Sequence, residues 1–202
     1  MSPYQITADF EAALRGYCGA PYAVALNSCT AALLLSMKWC RSRGMRWHDD
    51  IEIPRRTYVS VPCSIKLAGY DVSWHDEQWH GAYQLKHLPV WDCARRFTSG
   101  MYVAGQFQCV SFSASKILSA EQGGAILHDN RDADAWFRRM RFDGRTEGID
   151  AMEDTFDLIG HHCIMLPSVA AQLLVKLYHL PKVNADLPER EYPDLSLHPA
   201  FK

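Results

Sequence analysis

No apolar run in the chain approaches the roughly 20 residues needed to cross a bilayer, and the stretch up to Leu14 lacks the basic-then-apolar pattern of a secretory leader. No membrane partner and a cytoplasmic location are therefore expected. No C-x-x-C pair occurs, and the seven cysteines (Cys18, Cys29, Cys40, Cys63, Cys93, Cys109 and Cys163) are an odd number. That argues against a disulfide framework or a zinc knuckle and for reduced, mostly buried thiols. His75 and His80 lie near Asp76, but their spacing matches no ligand pattern, and no metal is expected. Neither sign of charge is in large excess: 21 Lys and Arg against 23 Asp and Glu give a net charge of −2, which demands no polyanionic partner. Internal repeats and low-complexity segments are absent too. What the chain does have is a hydrophobic fraction of 48%, ample for a buried core and incompatible with disorder over most of its length.

Short apolar runs alternate with helical patterns. Helices are predicted over 9–18, 30–40, 57–67, 132–142 and 167–180, with Asn27 and Ser28 as a cap before the second and Pro62 either in the first turn of the third or kinking it. Strands are predicted over 22–26, 51–53, 70–74, 88–91, 108–112 and 125–128, whereas 76–87 reads as surface loop or helix. This alternation implies an α/β layer with a mostly parallel central sheet flanked by helices. An α/β domain over 1–180 followed by an extended, loosely held tail over 181–202 is expected, because the tail is rich in proline and polar residues.

Four segments carry the chemistry. At Asn27-Ser28-Cys29-Thr30 a buried strand ends and a helix begins, presenting hydroxyls and unpaired N–H groups that suit a phosphate. In Pro54-Arg55-Arg56-Thr57-Tyr58, a tyrosine just after a strand is placed to lie on a cofactor ring. In Val90-Trp91-Asp92-Cys93-Ala94, a carboxylate stands at the carboxyl end of a buried strand, where α/β ligand sites form and where a protonated ring nitrogen is a suitable partner. Finally, Ser111-Phe112-Ser113-Ala114-Ser115-Lys116, with Gly123-Gly124 downstream, sets a lysine among small residues after a buried strand. In a dry pocket such an amine loses its proton readily and attacks a carbonyl. Each segment alone also reads more plainly, as an ordinary cap, a packing aromatic, a loop-capping carboxylate or an exposed lysine.

Taken together and in this order, the segments resemble the DegT-type aminotransferases, pyridoxal-phosphate (PLP) enzymes of fold type I, many of which aminate nucleotide-bound keto-sugars. The resemblance begins at Phe10-Glu11 and Tyr17-Cys18-Gly19-Ala20. It continues through 23–33, 54–60, 92–94, 111–116 and 121–126, then fades between Gly160 and Leu177. It implies the large domain of that fold in reduced form. It also implies a Schiff base between PLP and Lys116, an Asp92 that keeps the pyridine nitrogen protonated, and a Tyr58 stacked on the ring. Ser28, Cys29, Thr30 and Ser111 would take the phosphate, and Ala94 would line the cofactor site. A homodimer is implied as well, with His162 standing where the family has a residue that reaches the phosphate of the neighbouring subunit.

The departures from the family are specific. Cys29 replaces a usual Gly, Arg95 replaces Gln or His, and Ile164 replaces an Arg. The span between Trp74 and Val90 is too short for the usual additional βα unit, and nothing after Tyr192 matches the small domain, so an open site is expected. The leading expectation is an aminotransferase that moves an amino group from an amino-acid donor to a carbonyl acceptor. A second is a PLP-dependent decarboxylase or lyase acting on an amino-acid adduct of a large substrate such as a phage DNA nucleobase. In that case Arg138, Arg139, Arg141, Arg145, Arg55, Arg56, Arg95 and Arg96 would track a phosphate backbone. A third is a non-enzymatic descendant of the fold.

Overall fold

The computed structural model describes residues 4–45 and 49–201. Five helices, α1 (Gln5–Cys18), α2 (Cys29–Ser42), α3 (Ser60–Ala68), α4 (Arg131–Met140) and α5 (Pro167–His179), cover a sheet of short strands. The strands are β1 (Tyr22–Leu26), β2 (Asp50–Pro54), β3 (Asp71–His75), β4 (Tyr83–Leu85), β5 (Val90–Asp92), β6 (Phe107–Ser111) and β7 (Gly124–His128). Five of them form a sheet in the order β1-β7-β6-β5-β4, and β2 and β3 form a parallel pair. The single antiparallel bridge Glu52–Lys86 joins that pair to the end of β4.

Side-chain alternation along the strands separates two apolar layers. Val24, Leu26, Cys109 and Ile126 face one layer, packed with residues of α2, α3 and α4. Ala23, Ala25, Val110, Ala125 and Leu127 face the other, packed with Phe10 and Leu14 of α1 and with Val169, Ala170 and Leu173 of α5. Each fully buried Leu, Ile or Phe in these layers contributes about 1.5–3 kcal/mol. Six of the seven cysteines are buried, and all seven are free thiols, as expected.

The sheet is not mostly parallel. β5 and β6 pair in parallel, but β4–β5, β6–β7 and β7–β1 are antiparallel. The reason lies in the connections. Only the turn around His87, whose φ of 74° is left-handed, separates β4 from β5, and so short a link permits only an antiparallel return. Apolar runs of three to five residues carry no information about strand direction. β4 itself forms within the span expected to be loop or helix. The third helix begins at Ser60 rather than at residue 57, because Thr57 is buried and its hydroxyl is committed to a hydrogen bond with Tyr83.

The C-terminal segment is not loosely held. Lys182 O accepts from Ser99 N–H (2.9 Å), Arg95 O accepts from Leu187 N–H (2.9 Å), and Arg55 O accepts from Leu195 N–H (2.9 Å). Asp186 grips Arg96 through both carboxylate oxygens (2.6–3.2 Å), Tyr192 stacks on Trp79, and Leu195 and Phe201 are buried. Proline-rich composition thus produced an extended strap tied down at intervals, crossing the carboxyl ends of the strands.

Deep between α1, β1 and α4 lies an ion cluster. Glu11 Oε1 accepts from Ala25 N–H (2.8 Å) and from Arg141 (2.5 Å), while Glu11 Oε2 accepts from Arg138 (2.8 Å). Burial pushes the Glu11 carboxyl up, but the two guanidinium groups and the hydrogen bonds outweigh it and hold the carboxyl below its usual range. Removing one partner strands a buried charge, so Arg141→Met is expected to cost about 3–5 kcal/mol in urea unfolding. A carboxyl depressed in the folded state stabilises above its ordinary value and stops doing so as pH falls through the folded value. Stability should therefore be insensitive to this group near neutrality and should fall below about pH 4. In Glu11→Gln that acid dependence should shrink.

Candidate active site

The parallel strands β5 and β6 end side by side, and the chemistry gathers at those ends. Asp92 closes β5 and is 4% exposed. Its Oδ1 accepts from Ala94 N–H (2.9 Å), and its carboxyl also pairs with the phenol of Tyr83, directly opposite it in the β4–β5 ladder. Burial raises the Asp92 carboxyl above the ordinary range, while Ala94, Tyr83 and the charge of Lys116 pull it back.

Lys116 sits on the turn that follows β6. Phe112 anchors that turn at its base: its N–H donates to Gly123 O (2.9 Å), its O accepts from Ala120 N–H (2.7 Å), and its buried ring meets Phe10 and Phe97 edge-on. The lysine is half-buried. Burial lowers the affinity of its amine for a proton, Asp92 and Cys29 raise it, Arg95 and Arg190 lower it again, and the net effect is below the ordinary lysine value. The structure thus brings Lys116, Asp92 and Cys29 within electrostatic reach of one another.

Ser28 caps α2, its Oγ accepting from Ala31 N–H (3.1 Å). Cys29 is buried and its thiol donates to Cys109 O (3.5 Å); burial first, then the Asp92 charge, raise it well above the usual thiol range, so it is no nucleophile. Thr30 Oγ1 donates to Ser60 Oγ (2.9 Å), tying the start of α2 to the start of α3. The glycine pair explains itself here. Ser28 bridges Gly123, and a Cβ on Gly124 would lie 2.3 Å from Cys29 N. Only a glycine allows β7 to start against the capping turn. Ser111 closes β6, 3.5 Å from Ser113 Oγ.

Two predicted residues stand apart. The Tyr58 ring is 56% exposed, in the loop before α3. His162 is exposed and its Nδ1 pairs with Asp143 (2.8 Å); among the described residues no interaction joins it to Lys116, Asp92 or the Ser28 turn. Sequence reasoning missed Tyr83 and Thr57, whose hydroxyls lie 2.6 Å apart beside Asp92. The alternation Tyr83-Gln84-Leu85 was the available signal, but three residues are too few to identify a strand. Most of the arginines that the nucleic-acid reading assigned to a phosphate backbone are paired with carboxylates instead. Arg55 and Arg56 pair with Asp76 and Asp194, and Arg96 with Asp186. Arg138 and Arg141 share Glu11, with Asp134 and Glu147 as further partners, and Arg139 pairs with Asp157.

An α/β sheet of this kind, covered on both faces by helices, is the fold of the PLP-dependent transferases of fold type I. The chain belongs to the DegT/DnrJ/EryC1/StrS aminotransferase family, whose sequence model matches residues 1–80 and 97–190. Among solved structures it is similar to the sugar aminotransferase CalS13 from Micromonospora echinospora (18% identity, TM-score 0.70, covering 86% of this chain and 61% of that one). AtS13 from Actinomadura melliaura is similar at 17% identity and TM-score 0.73, covering 86% and 59%. Spr1654 from Streptococcus pneumoniae, described as a sugar aminotransferase and solved in PMP and PLP forms, is 20–21% identical with a TM-score of 0.68, covering 87% and 59%. The chain therefore spans about three fifths of the length of these structures. Comparison with functionally curated proteins gave no match.

Two substitutions test this geometry. Tyr83→Phe leaves the Asp92 carboxylate and the Thr57 hydroxyl short of a partner and is expected to lower unfolding stability by about 1–3 kcal/mol in denaturant titration. Gly124→Ala forces the capping turn away from β7 and is expected to cost about 1–3 kcal/mol by the same measurement.

Proposed function

We propose that this chain is a PLP-dependent aminotransferase that carries its cofactor on Lys116 Nζ and moves an amino group from an amino acid to a carbonyl acceptor. The observation that supports it most is the half-buried amine of Lys116 set against the buried carboxylate of Asp92 at the ends of adjacent strands. Family membership supplies the reaction class.

The residues present fit the cofactor. Asp92, buried and held by Ala94 and Tyr83, offers a fixed negative partner for a protonated ring nitrogen. The cap at Ser28, with Cys29, Thr30 and Ser111 around it, provides N–H and hydroxyl groups for a phosphate at a helix N-terminus. Tyr58, unpacked and just past β2, is available to cover the ring. When bound, PLP supplies an electron sink for the pair released at the α-carbon of the substrate. With that group bound, Lys116 Nζ would be the residue that takes and returns the proton at that carbon. Its proton affinity, lowered chiefly by burial, makes it a better base than a lysine in water.

In this reading residues 1–180 form the cofactor-binding domain and 181–202 an appended strap. The chain works as a homodimer, with His162, exposed and steadied by Asp143, offered to the neighbouring phosphate. The acceptor remains a small carbonyl compound. The decarboxylase acting on a nucleobase adduct is set aside, because six of the eight arginines that would have followed a phosphate backbone are committed to carboxylates.

Protein incubated with PLP, reduced with borohydride and digested should carry a pyridoxyl group on the peptide containing Lys116, and Lys116→Ala should lose the reducible visible absorbance. Modification of another lysine would overturn the assignment. Because the neutral amine is the nucleophile, attachment should quicken as pH rises, with a midpoint below the ordinary lysine value. Asp92→Asn should keep the attachment while amination falls by about 10²–10⁴-fold in single-turnover measurement.

A further inference from the structure

A cavity of about 720 Å³ opens beside the Lys116 crevice, walled on its outer side by the C-terminal strap. Most of its charges are already matched. Arg55 and Arg56 hold Asp76 and Asp194, His80 stands 3.6 Å from Glu189, and His75 stands 3.4 Å from Glu77. Arg95 differs. It is 9% exposed, it lines the cavity, and its guanidinium makes no hydrogen bond or ion pair with any described residue. Its backbone O holds the strap through Leu187 N–H (2.9 Å), which fixes where the side chain starts. Arg190, carried by the strap, lines the same cavity; it lies over the Tyr192 ring at 5.9 Å and makes no hydrogen bond or ion pair with any described residue. Both cations act on the Lys116 amine, behind the larger effects of burial, Asp92 and Cys29. Desolvating a guanidinium without a counter-ion is unfavourable, and a site that does so is completed when an anion arrives.

We propose that Arg95 and Arg190 together bind the carboxylate of the amino-acid donor. The inference rests on the cofactor assignment for the position of that donor beside Lys116. Arg95, in the turn after β5, presents a planar fork that matches a carboxylate through two parallel hydrogen bonds. Arg190 closes on the same group from the strap, so donor binding and strap docking favour each other. A singly charged carboxylate fits better than a phosphate dianion, because Glu189 and Glu191 line the same cavity and repel additional negative charge.

The test uses the full chain and glutarate, an unreactive dicarboxylate analogue of an amino-acid donor, titrated by calorimetry into PLP-loaded and cofactor-free protein. Arg95→Gln and Arg190→Gln are each expected to weaken glutarate binding at least about tenfold while PLP affinity stays within about twofold. Arg190 is exposed, so its variant keeps the test open if Arg95→Gln does not fold. Unchanged glutarate binding in Arg190→Gln overturns the proposal. So does a fall in PLP affinity without a fall in glutarate binding, which would assign Arg95 to an oxygen of the cofactor. Tighter binding of inorganic phosphate than of glutarate to the PLP-loaded protein overturns it as well. Failure of wild-type protein to form a borohydride-reducible adduct sinks the cofactor assignment instead, and glutarate binding to the cofactor-free protein then decides the carboxylate site separately.

Discussion

Everything at this site depends on keeping a carboxylate inside the protein. Asp92 is removed from water at the end of β5, where an ionised carboxyl is expensive unless something answers it. Ala94 N–H and the Tyr83 phenol answer part of it, and Lys116 supplies positive charge from across the crevice. The balance leaves the carboxyl easier to protonate, and the lysine easier to deprotonate, than either would be in water. Burial drives both shifts, and the attraction between the two groups opposes them. Tyr83 has a second part in it. By tying Asp92 to Thr57, it links the end of β5 to the loop after β2, so the carboxylate is held from two sides.

The opposite wall is held just as tightly, by packing rather than charge. β7 begins where α2 is capped, and the approach is so close that Gly124 has no room for a side chain. Ser28 and Cys29 are thus fixed against the sheet, while Thr30 and Ser60 lock the starts of α2 and α3 together. Far beneath, Glu11 gathers Arg138 and Arg141 and the backbone of Ala25, joining α1, β1 and α4. The arginines of α4 therefore serve the fold. Their abundance in the sequence resembles a nucleic-acid surface only as long as their partners are unseen.

The strap changes the character of the crevice. From Pro181 onward the chain could have left the body of the protein, yet it returns to Tyr17, Arg96, Trp79 and Arg55 in turn. The site expected to be open is walled on one side by this segment, which carries Arg190 toward the same space that Arg95 occupies. It is held by hydrogen bonds and ion pairs spaced along its length, by the stack of Tyr192 on Trp79 and by the buried side chains of Leu195 and Phe201.

The sequence by itself determined the local pieces. The 3.6-residue spacing of Phe10 and Leu14, the cap at Ser28, the glycine pair and the order of Asp92 before Lys116 are properties of neighbours in the chain, and they were legible there. Cysteine count and spacing likewise argued for free thiols. Tertiary structure decided which strands run against each other, because short apolar runs have no direction until their connections are placed. It also paired Tyr83 with Asp92, matched Arg138 and Arg141 to Glu11 and set Arg190 on the cavity that Arg95 lines. No local pattern encodes a partner that only folding brings near.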